Sequence, residues 1–356
     1  MIARSSSPSA LEATAGGVVV AESPDGRAWD QYVARHPAAT SYHQWIWKDI
    51  LEQSFRHPTV YLEARRASGV VGVLPLVEFR SRIFGTFAVS LPFVNYGGVL
   101  ADDAQAAAAL GEAAIARAEA RAWRHVELRH LTRQYPQWPV RSHKVAMRLS
   151  LPSDADMLWQ GLDRKVRNLV RKAEKAGCVA ESGGVELLPA FYAVFARNMR
   201  DLGTPVYGAR LFTEVVRRPP TCARVYVVRW EGQPVAASIT LTHRGSIEVP
   251  WASSLREHAC RSPNMLLYWA MLRDAVNTGA SVFDFGRSTP GEGTFQFKRQ
   301  WGAECSPLVW EYLGERGELP DRSPANPKFR AAIAVWQRLP VWLATWCGPH
   351  IVRHIP

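Results

Sequence analysis

Apolar positions along this chain switch between helical and strand spacing, and the order of the switches repeats. Between Pro24 and Leu131 the spacing predicts a helix from Asp25 to His36 and a second from Ser41 to Phe55, with Ser41 as N-cap. A strand pair follows, Val60 to Arg66 and Val70 to Phe79, turning at Ala67-Ser68-Gly69. An alanine-rich helix from Asp103 to Trp123 and the alternating strand His125 to Leu131 complete the unit. In the second half, Pro189 to Leu202 and Ala209 to Arg217 read as helices, and Arg224 to Trp230 and Val235 to Thr242 as a hairpin turning at Glu231-Gly232-Gln233. Asn264 to Thr278 reads as a helix and Val282 to Phe285 as a strand ending at Gly286.

The recurrence of helix, helix, hairpin, helix, strand predicts an α/β (α+β) protein made of two copies of one unit, although identity between the copies is negligible. At 356 residues, 47% of them hydrophobic, the chain is long enough to bury two cores. The expected divisions are a flexible leader over 1–17, a first domain over 18–146, a second over 147–315 and a basic, Trp-rich tail over 316–356.

Charge adds a second layer. The formal net charge is +11, and 9 of those units sit in two stretches. Arg322 to Pro356 carries five basic residues and no acidic one (+5); Asp163 to Gly177 carries six basic and two acidic (+4). In the latter, DRKVRNLVRKAEKAG, the residues Val166, Leu169, Val170 and Ala173 form one apolar stripe, with Asp163 at the N-terminal end and Gly177 placed as a C-cap. Arg164, Lys165, Arg167, Arg171 and Lys172 stand off that stripe with few acidic partners at i+4. A solvated face is one reading; a strip that holds phosphates or an RNA backbone is the one favoured by the scarcity of counter-charge.

The segment VFDFGRSTPGEGTFQFKRQWGAE combines a strand end, a Gly-rich loop and a short helix holding Phe297, Lys298 and Trp301. Strand ends and the loops after them are where α/β folds place ligands. Arg287 and Lys298 are therefore candidates for binding phosphate or stabilising an oxyanion, against the alternative of a capped turn with an Asp284–Arg287 salt bridge. Upstream, Glu248, Trp251, His258 and Asn264 gather near the junction of a strand and a helix. Trp251 would stack on a base, sugar or amide, whereas a lone Glu or His is more often structural.

Several chemistries lack their signatures. There is no GxSxG elbow, Walker loop or HExxH, and the five cysteines form no CxxC pair or Cys/His cluster, so neither a metal site nor a bound cofactor is expected. Direct attack by a bound amine or hydroxyl needs only positioning, deprotonation and oxyanion stabilisation, which suits this inventory. The cysteine usage and the lack of an export signal or an apolar stretch of spanning length point to a cytoplasmic protein. The tail, with Phe329, Ile333, Trp336, Leu343 and Trp346 among basic residues, would either lie at a membrane interface or pack back on the body, and Pro340 breaks any single long helix.

Taken in order, SYHQWIWKDILE, DRKVRNLVRKAEKAG, MRDLGTPVYGARLFTEV and SPNMLLYWAMLRDAVNTGASVFDFGRSTPGEGTFQFKRQWGAE resemble the FemAB-like group of the GNAT superfamily. The resemblance spans roughly residues 18 to 315 and is nearest to the FemAB-related proteins associated with exosortase and PEP-CTERM systems. It implies two tandem GNAT-like (acyl-CoA N-acyltransferase-like) domains with mixed central sheets, and acyl or aminoacyl transfer onto an amine or hydroxyl. Phe297 and Lys298 match the group's Phe-Lys pair, whose lysine lies at the transfer site. The group's acceptor-phosphate Lys falls at about Asp49, beside Lys48, and its Arg near Tyr207, with Arg210 nearby; both are departures from the pattern.

The reading favoured by the sequence is a transferase acting on a cell-envelope or exopolysaccharide precursor at the inner membrane face. The donor would be aminoacyl-tRNA or acyl-CoA, although no (R/Q)xxGxG/A phosphate loop is present. Lys298, Phe297 and Arg287 would serve the reaction, and Trp251, Asp284, Asn264, Tyr207 and Glu248 would line the substrate site. Arg164, Lys165, Arg167, Arg171 and Lys172 would hold the anionic donor. The competing readings are a non-catalytic GNAT-like assembly factor that binds RNA or anionic lipid, and an acyl-CoA-dependent N-acyltransferase.

Overall fold

The computed structural model describes residues 13–15, 17–81, 85–314 and 327–355. Two mixed sheets form its frame, and each repeats the order expected from the sequence. The first runs Ala13–Ala15, Val18–Glu22, Thr59–Arg66, Gly69–Ser81, Gly85–Val89, Val126–His130, Val309–Leu313 and Val140–Arg141, with Leu100–Ala101 added on Gly69–Ser81. The second runs Cys178–Gly183, Ala223–Trp230, Gln233–His243, Ser246–Ser254, Val282–Ser288, Val145–Ser150 and Glu304–Pro307.

Among the described residues each sheet contains one parallel pair, and both are short. Gly85–Val89 and Val126–His130 pair only at Ala88↔Val126 and Val89↔Glu127; Ser246–Ser254 and Val282–Ser288 pair only from Ser246↔Val282 to Glu248↔Asp284. Parallel neighbours need a crossover, and the helices Ala104–Ala120 and Pro263–Asn277 supply it. Beyond these few pairs the strands part. In the first domain the gap takes in the domain's own loop, where Leu91 and Phe93 hold positive φ and Gly97 and Gly98 leave no room for a Cβ against Leu91 and His130.

Local chemistry starts the helices where expected. Asp25, Asp103, Asp154 and Asp163 accept N-terminal backbone N–H groups of the helices Gly26–Arg35, Ala104–Ala120, Ala155–Gly161 and Arg164–Lys175. Alanine at 106, 109, 113 and 114 lets the second of these lie close on the first sheet. The expected cap at Ser41 is corrected. Ser41–His43 is a short 3-10 turn behind Thr40, whose N–H donates to His43 Nδ1, and the α-helix proper is Ile46–Phe55. Indole N–H groups of Trp29 and Trp47 hold that turn by donating to the carbonyls of His43 and Ser41.

The domains share a core. Tyr42, Trp47, Phe55, Phe79, Phe93 and Tyr96 from the first pack in one apolar cluster with Phe191, Phe195, Phe212 and Trp251 from the second. They also exchange strands across the expected cut near Ala146. Val145–Ser150 pairs with Val282–Ser288 in the second sheet, and Val309–Leu313 returns to pair with Val126–His130 in the first. Of the expected leader, residues 1–12 lie outside the described residues, while Ala13–Ala15 pairs with Val18–Glu22. The tail packs back on the body as two helices, Pro327–Trp336 and Val341–Val352, broken before Pro340 and tied by Arg200 donating to the Leu339 carbonyl. No helix among the described residues is long and apolar enough to cross a membrane.

Candidate functional site

The gap between the parting strands of the second domain is a cavity of about 260 Å³. Its walls are Val249–Ala252 on one strand, Phe285–Arg287 on the other, Tyr268 from the crossover helix, Thr294 and Lys298 from the helix Gly293–Arg299, Tyr207, and Phe93 and Asn95 from the first domain's loop. Gly286 keeps the gap open. It holds φ of 73°, and a Cβ there would meet the Asn95 amide at 2.8 Å and the Val249 carbonyl at 3.0 Å.

Lys298 is buried at one end. Its Nζ donates to the carbonyls of Arg287 at 2.8 Å and Gly286 at 3.3 Å. Burial lowers its pKa to about 8, against the attraction of Asp284 and with help from the Arg287 charge. The Arg287 guanidinium beside it has no hydrogen bond or carboxylate partner among the described residues; it lies 5.6 Å from the Trp310 ring, which Arg129 also faces at 4.6 Å. Burial and Arg129 push the Arg287 pKa down. Lys144, which donates to Thr289 Oγ1, and His143, edge-on to Trp310 at 5.4 Å, are both pushed down by burial first and by neighbouring cations after it. This side of the cavity is thus a desolvated cationic corner, suited to an anionic group or to charge that develops during a reaction.

Outside the lining, one residue before Val249 and Phe285 on the two strands, lies a buried carboxylate pair in register across the last parallel step, Glu248 and Asp284. Asp284 is saturated from within: Tyr96 Oη donates to it at 2.9 Å, Arg148 Nε at 2.8 Å and the Gly286 N–H at 2.7 Å. The expected alternative of an Asp284–Arg287 salt bridge is corrected, because the strand points the two side chains to different surroundings and Arg148 takes the ion pair. Glu248 Oε1 accepts from Tyr42 Oη at 2.7 Å and Asn95 Nδ2 at 2.6 Å. Burial, then the Asp284 charge, raises the Glu248 pKa to about 8.

Of the residues singled out in the sequence, Trp251, Tyr207, Arg287 and Lys298 line the cavity together. Phe297 is half-buried behind it, edge-on to Tyr268 at 4.9 Å. Glu248, Asp284 and Asn264, expected in the substrate site, lie outside the lining: the two carboxylates are buried behind the strands, where they hold Tyr42, Asn95, Tyr96 and Arg148, and Asn264 sits on the crossover helix. Arg164, Lys165, Arg171 and Lys172 are exposed and Arg167 is half-buried; none of the five has a carboxylate partner among the described residues, and none lines the cavity. Lys48 and Asp49 are engaged with Glu52 and Arg218, and Arg210 with Glu214. The residues missed were Tyr42, Phe93, Asn95, Tyr96, Lys144, Arg148 and Tyr268. The one local signal for them was the Asn95-Tyr96-Gly97-Gly98 run, whose paired glycines mark a loop that must approach other chain closely.

Residues 161–299 match the acetyltransferase (GNAT) domain family. No curated protein matches the chain. Among solved structures it is similar to FemX, with a TM-score of 0.62 at 13% identity over 82% of this chain and 96% of that one. It is similar also to L-PGS from Bacillus licheniformis, with a TM-score of 0.56 at 10% identity over 89% and 98% of the two chains. At such identities the likeness is one of fold. The second domain therefore carries the acetyltransferase (GNAT) domain match, and the chain as a whole has a fold like that of FemX, two GNAT-like domains in tandem.

Proposed function

We propose that the protein transfers an aminoacyl group from a charged tRNA to an amine or hydroxyl of a cell-envelope or exopolysaccharide precursor, with the cavity between Val249–Ala252 and Phe285–Arg287 as the transfer site. The observation that carries this reading is the desolvated Lys298 beside the unpartnered Arg287 guanidinium at one end of a small, aromatic-walled cavity. An acceptor nitrogen or oxygen attacks the ester carbonyl of the donor, and the new bond to carbon forms as the carbonyl oxygen takes up negative charge. Lys298 and Arg287 stabilise that charge in a site where water does not screen it. Collapse breaks the carbon–oxygen bond to the tRNA terminus, and the proton lost by the acceptor ends on the departing oxygen. Trp251, Tyr207 and Tyr268 shape the space for the aminoacyl side chain, while Phe297 holds Tyr268.

The donor assignment draws support from two features. On the helix Arg164–Lys175 none of Arg164, Lys165, Arg167, Arg171 and Lys172 has a carboxylate partner among the described residues, as suits a polyanion. The crossover helix of the second domain begins poorly for a CoA pyrophosphate. Pro263 at its first position has no N–H, Met265 N–H is spent on the Ser262 carbonyl, and the preceding turn Arg256–Arg261 contains no glycine. The match to an acetyltransferase domain favours a second reading, an acyl-CoA donor in the same cavity.

Titration of the purified protein with charged tRNA and with acetyl-CoA and a long-chain acyl-CoA, at two salt concentrations, separates the two readings. Saturable binding of charged tRNA that weakens steeply with salt is expected. Tight, salt-insensitive binding of an acyl-CoA with no tRNA binding overturns the donor assignment.

A further inference from the structure

The last helix, Val341–Val352, has two unlike faces. Ala344, Gly348 and Val352 are buried against the body, and the seat is close: a Cβ on Gly348 would meet the Val206 carbonyl at 2.6 Å. The opposite face carries Trp342, Trp346 and His350 at successive turns, a ridge about 100° per residue keeps in one line. The two indoles are 69% and 70% exposed, and the Trp346 and His350 rings are 6.4 Å apart. Elsewhere in the described chain tryptophans are buried or half-buried. Large apolar side chains left in solvent also concentrate here, with Val335, Ile351 and Ile355 on the same tail.

Nothing acidic offsets the cations of this segment, since residues 322–356 contain no Asp or Glu. Exposed Arg330 and Arg338 and half-buried Arg353 flank the indoles. Tryptophan has an apolar body and a polar N–H and settles at the boundary between lipid headgroups and acyl chains, and arginine there gains from anionic headgroups. At 12 residues the helix is too short to cross a bilayer.

We propose that the ridge Trp342–Trp346–His350, with the cations around it, docks the protein in the plane of an anionic lipid surface. The seat of the helix gives the docking a consequence. Gly348 packs on Val206, and the next residue, Tyr207, lines the cavity. Lipid at the ridge therefore sits behind the helix and the Val206–Tyr207 segment that walls the candidate transfer site, on the same side of the molecule, a placement suited to an acceptor carried on a lipid. The docking itself does not depend on the transfer chemistry.

The test is co-sedimentation of the whole protein with phosphatidylcholine vesicles, with and without about one-quarter phosphatidylglycerol, compared with the Trp342→Ala/Trp346→Ala protein. Both side chains project into solvent, so the double variant is expected to fold, and its circular dichroism and Tm verify that. The expected result is binding to the anionic vesicles that falls about tenfold or more in the double variant and weakens in high salt. Equal sedimentation of both proteins, or none of the wild type, overturns the proposal. So does a lipid-free dimer that the double variant loses, which would make a second copy the occupant, or loss of charged-tRNA binding in its place. Transfer to a water-soluble acceptor is expected to be unchanged in the double variant, so failure of docking and failure of the transfer reading remain distinguishable.

Discussion

Lys298 and Glu248 show how burial sets the chemistry of single residues in and behind this cavity. Lys298 sits in a place where its proton is held less firmly than on the surface, with a pKa near 8. The burden of burying its charge is therefore full below pH 8 and disappears as pH rises toward the ordinary lysine value of 10.5. Relative to Lys298→Met, the wild type is expected to gain stability from pH 8 upward, by at most about 3 kcal/mol, read as a change in the gap between their denaturant midpoints. Glu248 has the opposite sign. Its raised pKa adds stability that is full below pH 4.5 and is lost as pH climbs through about 8. Glu248→Gln mimics the protonated carboxyl, keeps an acceptor for Tyr42 and Asn95, and is expected to match the wild type near pH 5 and exceed it in Tm at pH 8. A wild type whose Tm relative to this variant does not move with pH would contradict the burial argument. Arg287→Ala is expected to slow transfer by about tenfold or more with little loss of stability, because the guanidinium has no internal partner to abandon.

At the scale of elements, the site depends on two strands that pair briefly and then part. Gly286→Ala places a methyl in that parting with strained φ, and is expected to cost about 1–3 kcal/mol and to close the cavity, measured by thermal unfolding and ligand binding. Charge reversal on the basic helix, Arg164→Glu with Arg171→Glu, is expected to weaken charged-tRNA binding and flatten its salt dependence while leaving the fold intact, since both side chains are exposed. Much of this was legible in the sequence. The helices Ala104–Ala120 and Pro263–Asn277, both hairpins and the basic helix follow from local period and caps, and Arg287 and Lys298 stood out because cations beside a Gly-rich strand end are unusual. What local pattern does not carry is the exchange of Val145–Ser150 and Val309–Leu313 between sheets, because each partner lies more than a hundred residues away. The roles of Asn95, Tyr96 and Tyr42 are not carried locally for the same reason, beyond the glycine pair that marks the Asn95-Tyr96 loop: they are defined by Glu248 and Asp284, which only the tertiary fold brings near.

The molecule as a whole is two copies of one unit with one site developed between them. In the first domain the gap after the parallel pair is taken by its own loop, and that loop reaches across so that Phe93 lines the second gap and Asn95 and Tyr96 brace the carboxylates behind it. The first domain is thereby a wall of the second domain's site, which gives a physical reason for the tandem arrangement. Shared burial of the domain interface and the exchanged strands lead to the expectation of a single cooperative thermal transition; two resolved transitions in calorimetry would contradict it. The central claim is that Lys298 stabilises charge in the cavity during transfer, and the most direct measurement is single-turnover transfer of a radiolabelled aminoacyl group from charged tRNA to an envelope-precursor fraction by wild type and Lys298→Ala. The account expects transfer to fall about a hundredfold or more in the variant while its charged-tRNA binding is unchanged. Equal transfer rates for the two proteins would contradict it.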